Sequence, residues 1–169
     1  MSNFANSGQT FTFSGIPQNT AELSSLPEAA LTNPFQAAAL TILVLCRYCE
    51  DPDACIDMLN FLKGPQPLSP YERQFLQDRL RGNAYLPYSF FKGAVPQNDY
   101  VPILPLTVTI TEDPYSYAEP GYAKLLIQSS GADQARPIKL RSKGQDQWFL
   151  WEQFLLSGIR QPASSDPWA

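Results

Sequence analysis

"LTVTIT", Leu106 to Thr111, is the stretch on which the fold turns. Leu106, Val108 and Ile110 fall on one side of an extended chain and Thr107, Thr109 and Thr111 on the other, the alternation of a strand with one buried face. The two-residue period persists downstream. "YAKLLIQSS" (residues 122–130) turns Ala123, Leu125 and Ile127 inward. "IKLRSK" (138–143) turns Ile138 and Leu140 inward and Lys139, Arg141 and Lys143 outward. "EDPYSYAEPG" and "SGADQARP" are turn segments, and "GQD" is a tight hairpin leading into "QWFLW". Residues 106–160 are thus predicted to form an antiparallel meander of about four strands. In the last strand Trp148 and Leu150 share one face and Phe149 and Trp151 the other. A strand apolar on both sides needs cover on both, from helices on one and from an aromatic loop or a partner chain on the other. Residues 152–156 are expected to continue as a short helix ended by Gly158.

Upstream the period is helical. Asn33-Pro34 is an N-cap followed by proline in the first turn, where its missing N–H costs nothing. The helix it opens, 34–50, is apolar almost all round, as in a helix surrounded by core. Asp51-Pro52 repeats the signal. Cys55, Met58, Leu59 and Leu62 then recur at helical spacing, and Gly64 suits the turn that ends the helix. Ser69-Pro70-Tyr71-Glu72 is a capping box before a third helix that ends by Gly82. Before these, residues 19–34 hold one or two short helical turns broken at Pro27, and "TFTF" (10–13) suits a short edge strand. Residues 83–105 have no period but carry Pro87, Pro96, Pro102 and Pro105 with Tyr85, Tyr88, Phe90, Phe91 and Tyr100. So many rings point to a segment packed over the core.

The composition suits one folded domain: 169 residues, 44% hydrophobic and 17% charged. A net charge of −4 supplies no overall field for coating nucleic acid. The start "MSNFANSGQTF" has neither a basic nor an apolar leader region, and the most apolar run, 35–46, is too short to span a bilayer. Three cysteines cannot all pair within one chain. These features point to a cytoplasmic protein without membrane association.

The chain has no histidine, which removes Ser–His–Asp and Cys–His nucleophiles and histidine metal sites. Its nine glycines are never closer than seven positions, so neither a dinucleotide fingerprint nor a phosphate loop is present. "CRYCEDPDAC" has a single C-x-x-C, and Cys46, Cys49 and Cys55 read more simply as small thiols near a helix end than as zinc ligands. Glu112, Asp113 and Glu119 lie in a turn rich in tyrosine. Two carboxylates beside aromatics suit a glycosidase, but Asp-Pro and Pro-Gly account for them as turn residues. Lys139, Arg141 and Lys143, with Lys124 beside them, make a basic row that either binds a single strand or faces solvent; the latter is simpler. No cofactor or metal site is expected.

Three stretches carry a family likeness: "LCRYCEDPDACIDMLNFLKGPQPLSPYERQFLQDRLRG", "SSGADQARPIKLRSKG" and "QWFLWEQFLLSGIRQPASSDPWA". Over about residues 32–169 the chain resembles a family of bacterial proteins known only as a domain of unknown function. The resemblance implies a single-domain bacterial protein and transfers no site residues. "IKLRSKGQDQWFLWE" is also similar to the final hairpin of NTF2-like α+β domains, in which helices cover a curved sheet and leave a pocket.

The expected architecture is α+β: three main helices packed on a roughly four-stranded antiparallel sheet formed by the C-terminal half. A flexible arm (1–10) precedes a single domain (11–169) with a helical half (20–82), a crossover (83–105), a strand half (106–160) and a tail (161–169). The leading functional expectation is a non-catalytic interaction or scaffolding domain that contacts another protein or itself. The alternative is a small-ligand-binding or enzymatic domain with a pocket between sheet and helices. The candidate contact surface comprises Tyr115, Tyr117, Phe149, Trp151 and Trp168; the tail "SSDPWA" either docks Trp168 on the body, the reading favoured by the cost of leaving an indole in water, or offers it as a peptide ligand.

Overall fold

The computed structural model describes residues 7–169. Its elements are β1 (Gly8–Phe13), α1 (Thr20–Ser24), α2 (Pro34–Leu45), α3 (Pro52–Lys63), α4 (Pro70–Leu80), α5 (Tyr85–Tyr88), β2 (Leu106–Thr111), β3 (Tyr122–Ile127), β4 (Arg136–Lys143) and β5 (Gln147–Gln153). Short 3-10 turns lie at Pro27–Ala30, Pro96–Asn98 and Ala163–Ser165. The architecture is α+β, with all strands antiparallel in the order β1-β2-β3-β4-β5.

The sheet therefore has five described strands, not four, and one comes from outside the C-terminal half. β1 pairs with β2 from Gly8 opposite Thr111 to Phe13 opposite Leu106. Phe13 is buried and Phe11 stacks beside it, so the strand is held by side-chain burial as well as by the ladder. Residues 8–10, expected to belong to a flexible arm over 1–10, are therefore part of the sheet, and residues 1–6 lie outside the described residues. Likewise five α-helices are described where three were expected, because the single turns α1 and α5 add to the three capped helices.

Those three start where their caps place them. The side chains of Asn33, Asp51 and Ser69 accept from the backbone N–H groups of Gln36, Ala54 and Glu72, each ahead of a proline in the first turn. Every residue of α2 except Gln36 is buried. The helix lies against β2, β3, β4 and β5 on one side and meets α3, α5 and the Pro27–Ala30 turn elsewhere. Leu40, Ile42 and Leu43 have no exposed surface, and such burial stabilises by about 1.5–3 kcal/mol per side chain. α2 ends at Leu45, short of the expected Glu50, and Arg47 turns away to donate to the carbonyls of Ile16 and Pro17. The segment between α2 and α3 thereby fastens the link that follows β1.

The aromatic crossover packs as expected: Phe90, Phe91 and Tyr100 are buried, and the Tyr100 ring stacks on Tyr85 at 5.4 Å. It does not cover the outer side of β5. Phe149 meets the turn at Gly64 instead, and Trp151 sits edge-on to Tyr122. The expected helix over 152–156 is absent; β5 runs to Gln153 and the chain is irregular to Gly158. No described helix is long and apolar enough to cross a membrane.

Candidate functional site

α4 is the least embedded of the three long helices. It buries only Leu76 and Leu80 and makes sparse contact with the other elements. Between it and the edge strand β5 runs a largely apolar groove of about 220 Å³, lined by Leu45, Leu59, Leu68, Phe75, Leu76 and Leu150. Tyr71 (77% exposed) and Phe154 stand at its rim.

One buried cation joins α4 to the strand. Lys63, the last residue of α3, is 5% exposed. Its ammonium donates to Glu72 Oε2 at 3.1 Å and to the Trp151 carbonyl at 3.0 Å. The other oxygen of Glu72 accepts from the Ser69 N–H at 2.9 Å, completing the capping box. Burial pushes the Glu72 carboxyl up, but the Ser69 N–H and the Lys63 ammonium outweigh it, and its pKa falls below the ordinary value. A carboxylate that finishes a helix cap thus also neutralises a lysine that would be costly to bury alone.

β5 is an edge strand, and its edge is blunted. The Trp148 N–H donates to the Leu31 carbonyl at 2.9 Å, and Lys63 takes the Trp151 carbonyl. The register shifts between Lys139 and Leu140, leaving Trp151 without a partner on β4. This bulge re-aims Trp151 towards Arg141, whose guanidinium lies 4.7 Å from the indole ring and 5.4 Å from the Tyr122 ring. Lys139 covers Tyr122 at 4.5 Å and pairs with Glu119 at 2.8 Å. Beyond Trp151 the groove opens into a second cavity of about 320 Å³, bordered by Lys63, Pro65, Arg141, Lys143 and Phe149. Leu150 and Trp151 line both parts. Among the described residues no carboxylate forms an ion pair with Arg141 or Lys143. The site is therefore an apolar trough with a basic end.

Of the five expected contact residues, Trp151 lines both cavities and Phe149 the basic one. Tyr115 and Tyr117 are exposed on the β2–β3 connection, and neither lines the groove. Trp168 is 92% exposed, so the expected docking of its ring is overturned. The tail is held instead by buried Pro162 and by the Ser164 N–H donating to Asp99, which leaves the indole pointing away.

The turn carboxylates are each engaged locally. Glu112 accepts from Ser7, Asp113 from the Tyr115 N–H, and Glu119 from Lys139. Burial and then the hydrogen bond to Glu112 raise the Tyr117 pKa. The thiols of Cys46, Cys49 and Cys55 donate to the carbonyls of Ile42, Leu80 and Val44. Burial raises the pKa of all three, that of Cys55 to about 12.

Sequence reasoning missed Lys63 and the stand-off of α4. The signal for the first was present: Lys63 follows Leu62 and lies four residues after Leu59, at the edge of the apolar stripe of α3. The second had no such signal, because the helix is well capped and its sparse embedding is a tertiary matter.

The model of a domain of unknown function, DUF6935, matches residues 15–163, nearly the whole described fold. The chain belongs to this family. No curated protein and no solved structure matches it. The family match begins before α1 and ends in the Ala163–Ser165 turn, so it takes in α4, β5 and every residue that lines the groove.

Proposed function

We propose that this DUF6935 domain is a non-catalytic interaction module, and that the groove between α4 and β5 receives a polypeptide segment. The observation that carries the reading is the groove itself: an apolar trough beside an edge strand, with Tyr71 and Phe154 exposed at its rim and unpaired cations at one end. Exposed aromatics around an apolar centre are typical of surfaces that bind by burying an anchor side chain. The space between α2 and the sheet is filled by side chains with no exposed surface, which argues against an internal pocket of the NTF2-like kind. The polar groups support the same reading, since the acids of the β2–β3 turn and the three thiols are already partnered.

Titration of labelled protein with short peptides that combine an aromatic or aliphatic anchor with an acidic residue tests this. The expected result is backbone amide shifts confined to α4, β5 and the turn after Gly64. Shifts elsewhere, or none with any such peptide, would overturn the assignment of the groove.

A further inference from the structure

We infer that the segment the groove receives is the tail of a second copy of this chain, with Trp168 as the anchor and Asp166 as its acidic flank. The inference rests on the proposed reading of the groove and adds the identity of the occupant.

Three observations point to it. Trp168 is the most exposed large apolar side chain described, at 92%. The backbone that carries it is nevertheless held in a turn: the Trp168 backbone N–H donates to Asp166 Oδ1 at 2.9 Å and the Ala169 N–H donates to the Asp166 carbonyl. The tail beneath is fixed by the Ser164 N–H on Asp99. A tail whose backbone is already fixed loses little backbone freedom on docking.

Charge is also complementary. Asp166 lies two residues from Trp168, and the apolar trough is followed within one strand by Arg141 and Lys143, which have no ion-pair partner among the described residues. Lys63, the third cation at that end, is committed to Glu72. Glu152 borders the apolar part and lies opposite Lys139 in the ladder. A segment with an aromatic ring and one carboxylate fits this arrangement, and this chain presents one.

The groove is not filled by its own tail. The tail lies beside the Pro96–Asn98 turn, in a cavity bordered by Pro96, Arg160, Ala163 and Asp166, and none of its residues lines the groove. Knob and groove are different surfaces, so two copies close the contact by exchanging tails reciprocally, and an unreciprocated contact leaves an open end on each chain.

Sedimentation velocity over a wide concentration series tests the inference on the full chain. Wild type is expected to self-associate. Trp168→Ala removes the knob and Tyr71→Arg obstructs the rim. Both positions are exposed, so circular dichroism and thermal melting of the two variants should match wild type. A homodimer of either variant loses both reciprocal contacts, so each is expected to weaken association by about 1,000-fold, the product of two aromatic anchors of about 30-fold each. The decisive arm mixes the two variants, since one keeps the groove and the other the tail. The mixture should form a heterodimer through a single contact although neither variant dimerises alone. A wild type that stays monomeric, a Trp168→Ala variant that associates as tightly as wild type, or a mixture that fails to pair would each overturn the inference. Should foreign acidic–aromatic peptides still shift α4 and β5 in any of those cases, the interaction reading survives and only the tail as occupant falls.

Discussion

Lys63 shows how one side chain sets local architecture. Its ammonium is buried, and its partners are a carboxylate on α4 and a carbonyl on β5, so removing it leaves two acceptors unsatisfied at the same place. Lys63→Ala is expected to lower stability by about 1–3 kcal/mol, measured by urea unfolding. The loss lies below that of a fully buried ion pair because Glu72 is partly exposed. The cysteines give a second expectation at this scale. A raised pKa keeps a thiol protonated at neutral pH, and Cys46 and Cys55 are buried as well. A thiol-specific disulfide reagent should therefore titrate one group, Cys49, in the native protein and all three after denaturation. Rapid native labelling of a second thiol would contradict the packing around α2.

Among elements, the informative ones are those whose ends are fixed by single residues. Gly64 ends α3 at φ +67°, and a Cβ placed there would lie 2.5 Å from the Phe149 ring. Gly64→Ala combines a left-handed backbone with a clash. It should cost more than about 1 kcal/mol, read as a lowered urea midpoint. α4 offers the contrasting case. Ser69→Ala removes one half of the capping box, a loss of about 1 kcal/mol to the helix. Because α4 is sparsely embedded, the loss should appear as faster amide hydrogen exchange within Pro70–Leu80 rather than as an equal fall in global stability. The three long helices were legible in the sequence because caps are local chemistry: Asn33, Asp51 and Ser69 mark their starts without reference to anything distant. β1 was only half legible. "TFTF" alternates, but its extension back to Gly8 depends on pairing with Thr109, Ile110 and Thr111, a hundred residues away in the chain.

For the molecule as a whole, the aromatic residues divide by tertiary position rather than by type. Phe90, Phe91 and Tyr100 close the core, Trp151 and Tyr122 hold cations on the outer side of the sheet, and Trp168 holds nothing within its own chain. Trp168→Ala in dilute solution is accordingly expected to change unfolding free energy by no more than about 0.5 kcal/mol, the range of an uninvolved surface site. A larger fall in melting temperature would show that the ring is docked after all. The basic row on β4 lies opposite the buried Ile138 and Leu140, as the alternation of the strand requires. Its engagement with Glu119, Tyr122 and Trp151 depends on the β5 bulge, which alternation alone does not reveal.

By itself the sequence determined what short-range physics controls: capped helices, alternating strands, the absence of histidine chemistry, and an α+β class that follows from the change of period at Leu106. Only the tertiary structure decided where β1 joins the sheet, which helix stands away from the body, and that a lysine is buried against an edge strand. Those outcomes depend on contacts between residues far apart in the chain, whose free energies are settled by packing geometry and not by neighbours in sequence.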